Sequence, residues 1–139
     1  MQSPAGTHLH AIDMISPTTG WAVGNSSFEE KTLTARLVGG TWRIVSSPNG
    51  RGENYLVGVA ASSPSDAWAV GTIDAVSWHR RPLFLHWNGK AWSSSPSPPV
   101  SLGELRAVAL NPRTGKLWAV GDVYSSSQFQ TLAETHCPG

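Results

Sequence analysis

Cysteine is nearly absent: Cys137 is the single one among 139 residues, which excludes an intrachain disulfide and leaves the redox compartment unread. Charge is sparse as well. Charged side chains make up 14% of the chain, ten basic against nine acidic for a net +1, and no run of one sign exceeds two. That balance argues against nucleic-acid binding through phosphates and against an electrostatic membrane anchor. No stretch approaches the roughly 18 apolar residues of a membrane span. The opening MQSPAGTHLH lacks the basic and apolar regions of a signal peptide. Helical periodicity is missing too, because 14 glycines and 10 prolines punctuate the chain too often for an apolar helical window. What remains is an all-β chain of one-domain length.

Tryptophan, by contrast, is abundant, with seven residues, and the tetrapeptide Trp-Ala-Val-Gly occurs three times, at 21–24, 68–71 and 118–121. A period near 50 residues points to solenoids or propellers. Aligning the copies gives a first strand (A) at Leu9–Met14, Leu56–Ala61 and Leu105–Leu110, alternating at period two. Its small residues Ala11, Gly58 and Ala107, then Asp13, Ala60 and Ala109, share one face. Turns follow at SPTTG, SPSD and NPRTGK, dense in turn-forming residues. Trp-Ala-Val-Gly is then strand B, with Trp and Val on one face and Ala on the other. Strand C spans 33–38 and 83–87, a hairpin turn GGT or NGKA follows, and strand D opens at Trp42 or Trp92 and stops at a Ser-Pro. The third copy has a strand C within 131–139 and no strand D. Trp21, Trp42, Trp68, Trp87, Trp92 and Trp118 are read as structural residues of the repeat.

The pattern L-x-x-V-A … S-D-A-W-A-V-G … L-F-L-H-W-N-G-K-A-W-S-S-S-P-S-P resembles bacterial tryptophan-rich, WAVG-type β-propeller repeats. These lie near the Asp-box and photosystem II assembly-factor propellers. The resemblance covers nearly the whole chain and is specific in Trp68–Gly71, Trp87–Gly89 and Trp92. It departs from a true Asp box: Gly40-Thr41-Trp42 keeps the end of that motif, but Arg36-Leu37-Val38 stands where Ser-x-Asp would begin it. Sialidase chemistry is therefore not implied. The expected fold is one domain, 1–139, with repeats at approximately 8–54, 55–103 and 104–139. It is a partial β-propeller of about three four-stranded antiparallel blades, the last without its outer strand. Single-chain propellers typically have about four or more blades, so flanking blades, a homo-oligomer through the open blade edges or an open stack of sheets is expected.

Chemistry is hard to find. The carboxylates are scattered, and no pair recurs at a spacing that suggests glycoside hydrolysis. His8 and His10 with His136 and Cys137 make too thin a set for zinc. No nucleophile elbow and no phosphate-cradling glycine loop occurs, so no catalytic residue, metal or cofactor is expected. The segments joining strands B and C, 25–32, 72–82 and 122–131, are read as loops that differ in length and composition. Variable loops on a rigid scaffold usually carry function, and exposed aromatics and arginine suit binding. Phe28, Trp78, His79, Arg80, Tyr124 and Phe129 are therefore the candidate ligand-binding residues. The expected function is a non-catalytic binding or scaffold module that recognises protein or carbohydrate through one face. The alternative is a fragment of a propeller hydrolase or lyase whose catalytic residues lie on missing blades. Localisation stays open, with an extracellular or cell-surface setting fitting a piece of a longer protein.

Overall fold

A computed structural model describes residues 4–28, 30–76, 79–96, 102–125 and 128–136. Within them the chain is all-β, with no helix and three antiparallel sheets. Sheet 1 runs β1 (Thr7–Ser16), β2 (Thr19–Ser26), β3 (Lys31–Val38), β4 (Thr41–Val45). Sheet 2 runs β5 (Glu53–Ser63), β6 (Asp66–Val76), β7 (His79–Trp87), β8 (Trp92–Ser95). Sheet 3 has β9 (Gly103–Leu110), β10 (Leu117–Ser125) and β11 (Gln128–His136). Within each sheet every strand pairs with its sequence neighbours, so each sheet is a meander.

The tetrapeptide sits in β2, β6 and β10, and each of its letters has a separate physical reason. Trp21, Trp68 and Trp118 pair with Asp13, Ala60 and Ala109 on the first strand of their sheets. The valines two positions on share that face, since side chains alternate along a strand. Ala22, Ala69 and Ala119 point the other way and are buried. The glycine answers to a β-bulge. Leu9 pairs with Gly24 and Ala11 with Val23, which leaves His10 as an extra residue in β1. Val57 and Arg106 are the extra residues opposite Gly71 and Gly121. A bulge presses the partner backbone close. A Cβ built on Gly24, Gly71 or Gly121 would lie 1.8, 1.9 and 1.9 Å from the carbonyl oxygens of His8, Tyr55 and Glu104. Gly39 and Gly40 answer a different demand, with φ of 58° and 82° in the two-residue turn from β3 to β4, where a hairpin needs two left-handed residues.

The sheets stack by their first strands. β5 lies on β1, β2 and β3, and β9 lies on β5, β6 and β7. At the first junction Trp21, with no exposed surface, meets Trp87 and Trp92 of sheet 2 edge-on, ring centroids 4.9 and 4.8 Å away. Val23 joins the same cluster as Leu56, Val59, Ala67, Ala69, Leu83 and Leu85. Arg36, paired with Trp21, places its guanidinium 5.6 Å from that ring and 5.1 Å from Trp87. Its Nη2 donates to the Pro64 carbonyl at 2.8 Å, which also accepts the Trp87 indole N–H at 3.2 Å. Asp13 reaches across as well, accepting the Ala61 amide at 2.8 Å. The second junction buries Trp68, Val70 and Phe84 against Leu105, Leu117 and Ala119, with His86 stacked on Trp68 at 4.3 Å.

Two differences from the sequence reading follow. Trp118 holds the register position of Trp21 and Trp68 yet is 48% exposed against 0% and 3%, because its face of sheet 3 has no sheet laid over it among the described residues. Trp42, paired with Leu37, is half-buried on the outer face of sheet 1. The second difference concerns the segments read as loops. β2, β6 and β10 continue to Ser26, Val76 and Ser125, and β7 and β11 begin at His79 and Gln128, so these connections are mostly paired strand. Thr72 pairs with Pro82, Ile73 with Arg81 and Tyr124 with Phe129, so the ladders run on past the repeat.

The bulge also gives a local test of polar satisfaction. In sheets 1 and 3 the extra residue reaches the residue after the glycine: His10 Nε2 lies 2.7 Å from Asn25 Oδ1, and Arg106 Nε donates to Asp122. In sheet 2 the corresponding pair is Val57 and Thr72, and the Thr72 hydroxyl is fully buried with no partner. Replacing it by a shape-matched methyl removes that penalty. Thr72→Val is expected to raise stability by ~1 kcal/mol in urea unfolding. Gly71→Ala is expected to lose ~3 kcal/mol, since backbone must move to admit the Cβ. Gly40→Ala, with nothing within 4 Å of its Cβ, should lose only the ~1 kcal/mol of a left-handed alanine. Equal losses at the two glycines would contradict the bulge account.

Candidate functional site at the hairpin ends

One end of the stack collects the β2–β3, β6–β7 and β10–β11 hairpins and the starts of β1, β5 and β9. Ser26 pairs with both Thr7 and Lys31, Glu53 with Ala75, and Gly103 with Val123. The first hairpin turns through Glu30, whose φ of 54° is a left-handed conformation uncommon outside glycine.

Asn54 ties this turn to the next sheet. Only 1% exposed, it donates from Nδ2 to the carbonyls of Glu30, at 3.0 Å, and of Gly50 and Gly52, while Oδ1 accepts the Gly50 amide at 3.0 Å. Its own backbone N–H donates to the Glu30 carbonyl at 2.9 Å. The crossover from β4 to β5 and the β2–β3 turn are thus closed by one amide side chain. Between sheets 2 and 3 the link is ionic. Arg80 at the start of β7 pairs with Glu104 on β9, Arg106 lies 3.5 Å from Glu104, and Arg106 pairs with Asp122 on β10. Charges of alternating sign therefore cross from one sheet to the next.

On sheet 1 the same end opens into a cleft of about 340 Å³, whose lining includes Phe28, Lys31, Thr32, Ile44, Ser47 and Asn49. Its walls are partly organised. Asn49 Oδ1 accepts the Thr32 amide at 2.7 Å, and the Thr32 and Ser47 hydroxyls lie 2.7 Å apart. The Phe28 ring lies over Gly6, where an added Cβ would meet it at 2.2 Å, and the Ser27 amide donates to the Gly6 carbonyl at 2.7 Å. Phe28 is nonetheless 79% exposed. The ring forms part of the wall of a cleft that is apolar at Leu33, Ile44 and Val45 and polar at Thr32, Ser47 and Asn49.

Of the six residues singled out from sequence, Phe28, Arg80 and Tyr124 stand on three different sheets at this end. Tyr124 is 44% exposed at the end of β10, and Arg80 is engaged by Glu104. Trp78 and the side chains of His79 and Phe129 lie outside the described residues. Sequence reasoning passed over Asn54, Asn49 and Thr32. The polar run Asn49-Gly50-Arg51-Gly52-Glu53-Asn54 ahead of an apolar strand is the signal that points to a capped crossover.

The opposite end carries Ser62, Asp66 and His86, residue types of nucleophilic catalysis. The Ser62 hydroxyl donates to Asp66, whose other oxygen accepts from His86 Nε2 at 2.7 Å. The carboxylate stands between serine and histidine, so no imidazole base meets the hydroxyl and the serine is not activated in the manner of a triad. The cluster closes a turn. Among the described residues no three His, Cys, Asp or Glu side chains group as metal ligands.

No family model, curated protein or solved structure matches this chain. The site's chemistry rests on its own geometry. Asn54→Ala is expected to lose ~2–3 kcal/mol, because the amide of Gly50 and the Glu30 carbonyl lose a buried partner. Arg80→Ala breaks an exposed pair and should lose under ~1 kcal/mol. Thermal melts of the two variants check the contrast, and a mild effect of Asn54→Ala would contradict the closure described above.

Proposed function

We propose that the three sheets are consecutive blades of a β-propeller and that the chain is a non-catalytic binding or scaffold module, taking up carbohydrate or protein at its hairpin end. The blade reading is supported by the recurring meander, by the laying of each first strand on the preceding sheet, and by the equivalent positions of Trp21, Trp68 and Trp118.

The observation that carries the binding reading is the exposed Phe28 ring in the wall of a cleft whose lining mixes apolar side chains with Thr32, Ser47 and Asn49. A sugar ring presents one apolar face and a rim of hydroxyls, which a ring platform beside hydrogen-bonding groups complements. Carbohydrate is therefore the favoured ligand class. The cleft stands on a framework that does not need Phe28 for its own packing, which leaves the ring free for recognition.

Calorimetric titration of the whole chain with a panel of soluble oligosaccharides tests this reading. At least one member is expected to bind, and Phe28→Ala should weaken it about tenfold, or ~1.4 kcal/mol, with an unchanged melting temperature. A panel without binding would sink the carbohydrate reading. Release of reducing ends during the titration would overturn the non-catalytic one.

A further inference from the structure

We propose that the exposed face of sheet 3 receives the exposed face of sheet 1 of a second copy of this chain, so that two chains close head to tail into a ring of six sheets. The ring rests on the propeller reading above, whereas the contact itself rests on what the chain already does twice internally.

Each internal junction joins a Trp-bearing face to the opposite face of the following sheet. The receiving face of sheet 2 includes Leu56 and Val59, paired with Gly71 and Ala69, and that of sheet 3 includes Leu105 and Val108, paired with Gly121 and Ala119. In sheet 1 the same register positions are held by Leu9 and Ile12, paired with Gly24 and Ala22. Leu56 and Leu105 are buried, whereas Leu9 is 45% and Ile12 62% exposed.

The other half of the contact is bare in the same way. Trp118 and Val120, with Ala107 and Ala109 opposite them on β9, hold the positions of Trp21 and Val23 and of Trp68 and Val70. All four are exposed. In sheets 1 and 2 the residue paired across from the tryptophan lies over its ring, Arg36 in one and His86 in the other. Its counterpart in sheet 3 is Thr135, a smaller and uncharged residue. One chain therefore presents both halves of a third junction.

Contiguous exposed apolar faces mark interaction surfaces. The two faces are unlike each other, so copies meet heterologously, and such contacts either close or propagate. Propellers run from about four to eight blades, and two copies of these three sheets make six.

Sedimentation velocity on the whole chain tests the proposal. The expected species has twice the 14.8 kDa chain mass. Ile12→Arg and Trp118→Arg alter exposed positions on the two faces, and each variant alone is expected to be monomeric and still cooperatively folded, with a melting point lowered by the lost contact. Val120→Lys supplies a second change on the sheet 3 face should the tryptophan variant fail to fold. Mixed in equal amounts, Ile12→Arg and Trp118→Arg should recover a two-chain species, because each keeps the face that the other has lost. A monomeric parent chain overturns the proposal. So does a dimer that survives either substitution, or a mixture that stays monomeric. Open polymers that lengthen with concentration overturn the ring and the propeller reading with it. Loss of oligosaccharide binding without loss of the dimer counts against the carbohydrate site alone.

Discussion

The Trp21 ring is shut away between Trp87 and Trp92 of the next sheet, and the rest of the molecule is arranged so that rings of this kind can be covered. A strand alternates its side chains between two faces, and here both faces of sheet 2 are apolar: one takes Trp21, the other offers Trp68. Such a sheet has no face to give to water, so its stability lies in its junctions more than in its own ladder. The small residues follow from the same demand. Ala69 and Ala119 let the preceding sheet come close behind each large ring, and the bulges at His10, Val57 and Arg106 bend the first strands onto their neighbours.

Polar groups are spent at the two ends of the stack, where the junctions run out. At one end the Pro64 carbonyl gathers both the Arg36 guanidinium and the Trp87 indole, and Asp66 holds Ser62 and His86. At the other, Asn54 gathers the crossover and the first hairpin turn, while Glu104 and Asp122 tie sheets 2 and 3 through Arg80 and Arg106. Both ends are closed by side chains that satisfy backbone groups, which spares the turns an unpaired buried carbonyl. Against that background Phe28 stands apart. It contributes little to any junction, and its position depends on a glycine just ahead of β1. A residue of this kind can vary without loosening the layers, which is the separation between framework and recognition that loops on rigid scaffolds provide.

Much of the framework is legible in the sequence because it is periodic. Trp21, Trp68 and Trp118, the turns before them and the Asn88-Gly89 hairpin report strands and their order directly. The bulges are not legible, because His10, Val57 and Arg106 share no chemistry and the single extra residue looks like ordinary alternation. For the same reason the glycine ending each tetrapeptide reads as punctuation, whereas its work is to make room for a carbonyl. The hairpin extensions at 72–76 and 122–125 are masked by serines and by differing lengths, which suggest loop where cross-strand pairing prevails. At the candidate site the sequence singles out aromatic side chains, since an aromatic outside the repeat is conspicuous. Asn54, Asn49 and Thr32 act through backbone atoms far along the chain, and such partners cannot be read from composition. Exposure of Trp118 is likewise a property of what lies over the sheet, invisible at the residue itself.

The tryptophans also make the stack readable by light. Trp21, Trp87 and Trp92 lie within 6 Å of one another as ring centroids, at interplanar angles of 54° to 72°, close and oblique enough for their excited states to couple. Coupled indoles give a paired positive and negative band in the far-ultraviolet circular dichroism, and that band belongs to the first junction. Trp118 has half its surface in water and is accessible to a dissolved collisional quencher, from which the enclosed Trp21 is shielded. Two spectroscopic signals, one chiral and one of emission, therefore address two different layers of the same chain without any label. Separation of sheet 1 from sheet 2 would leave only the Trp87–Trp92 pair and so reshape the first, and anything laid over sheet 3 would protect the second.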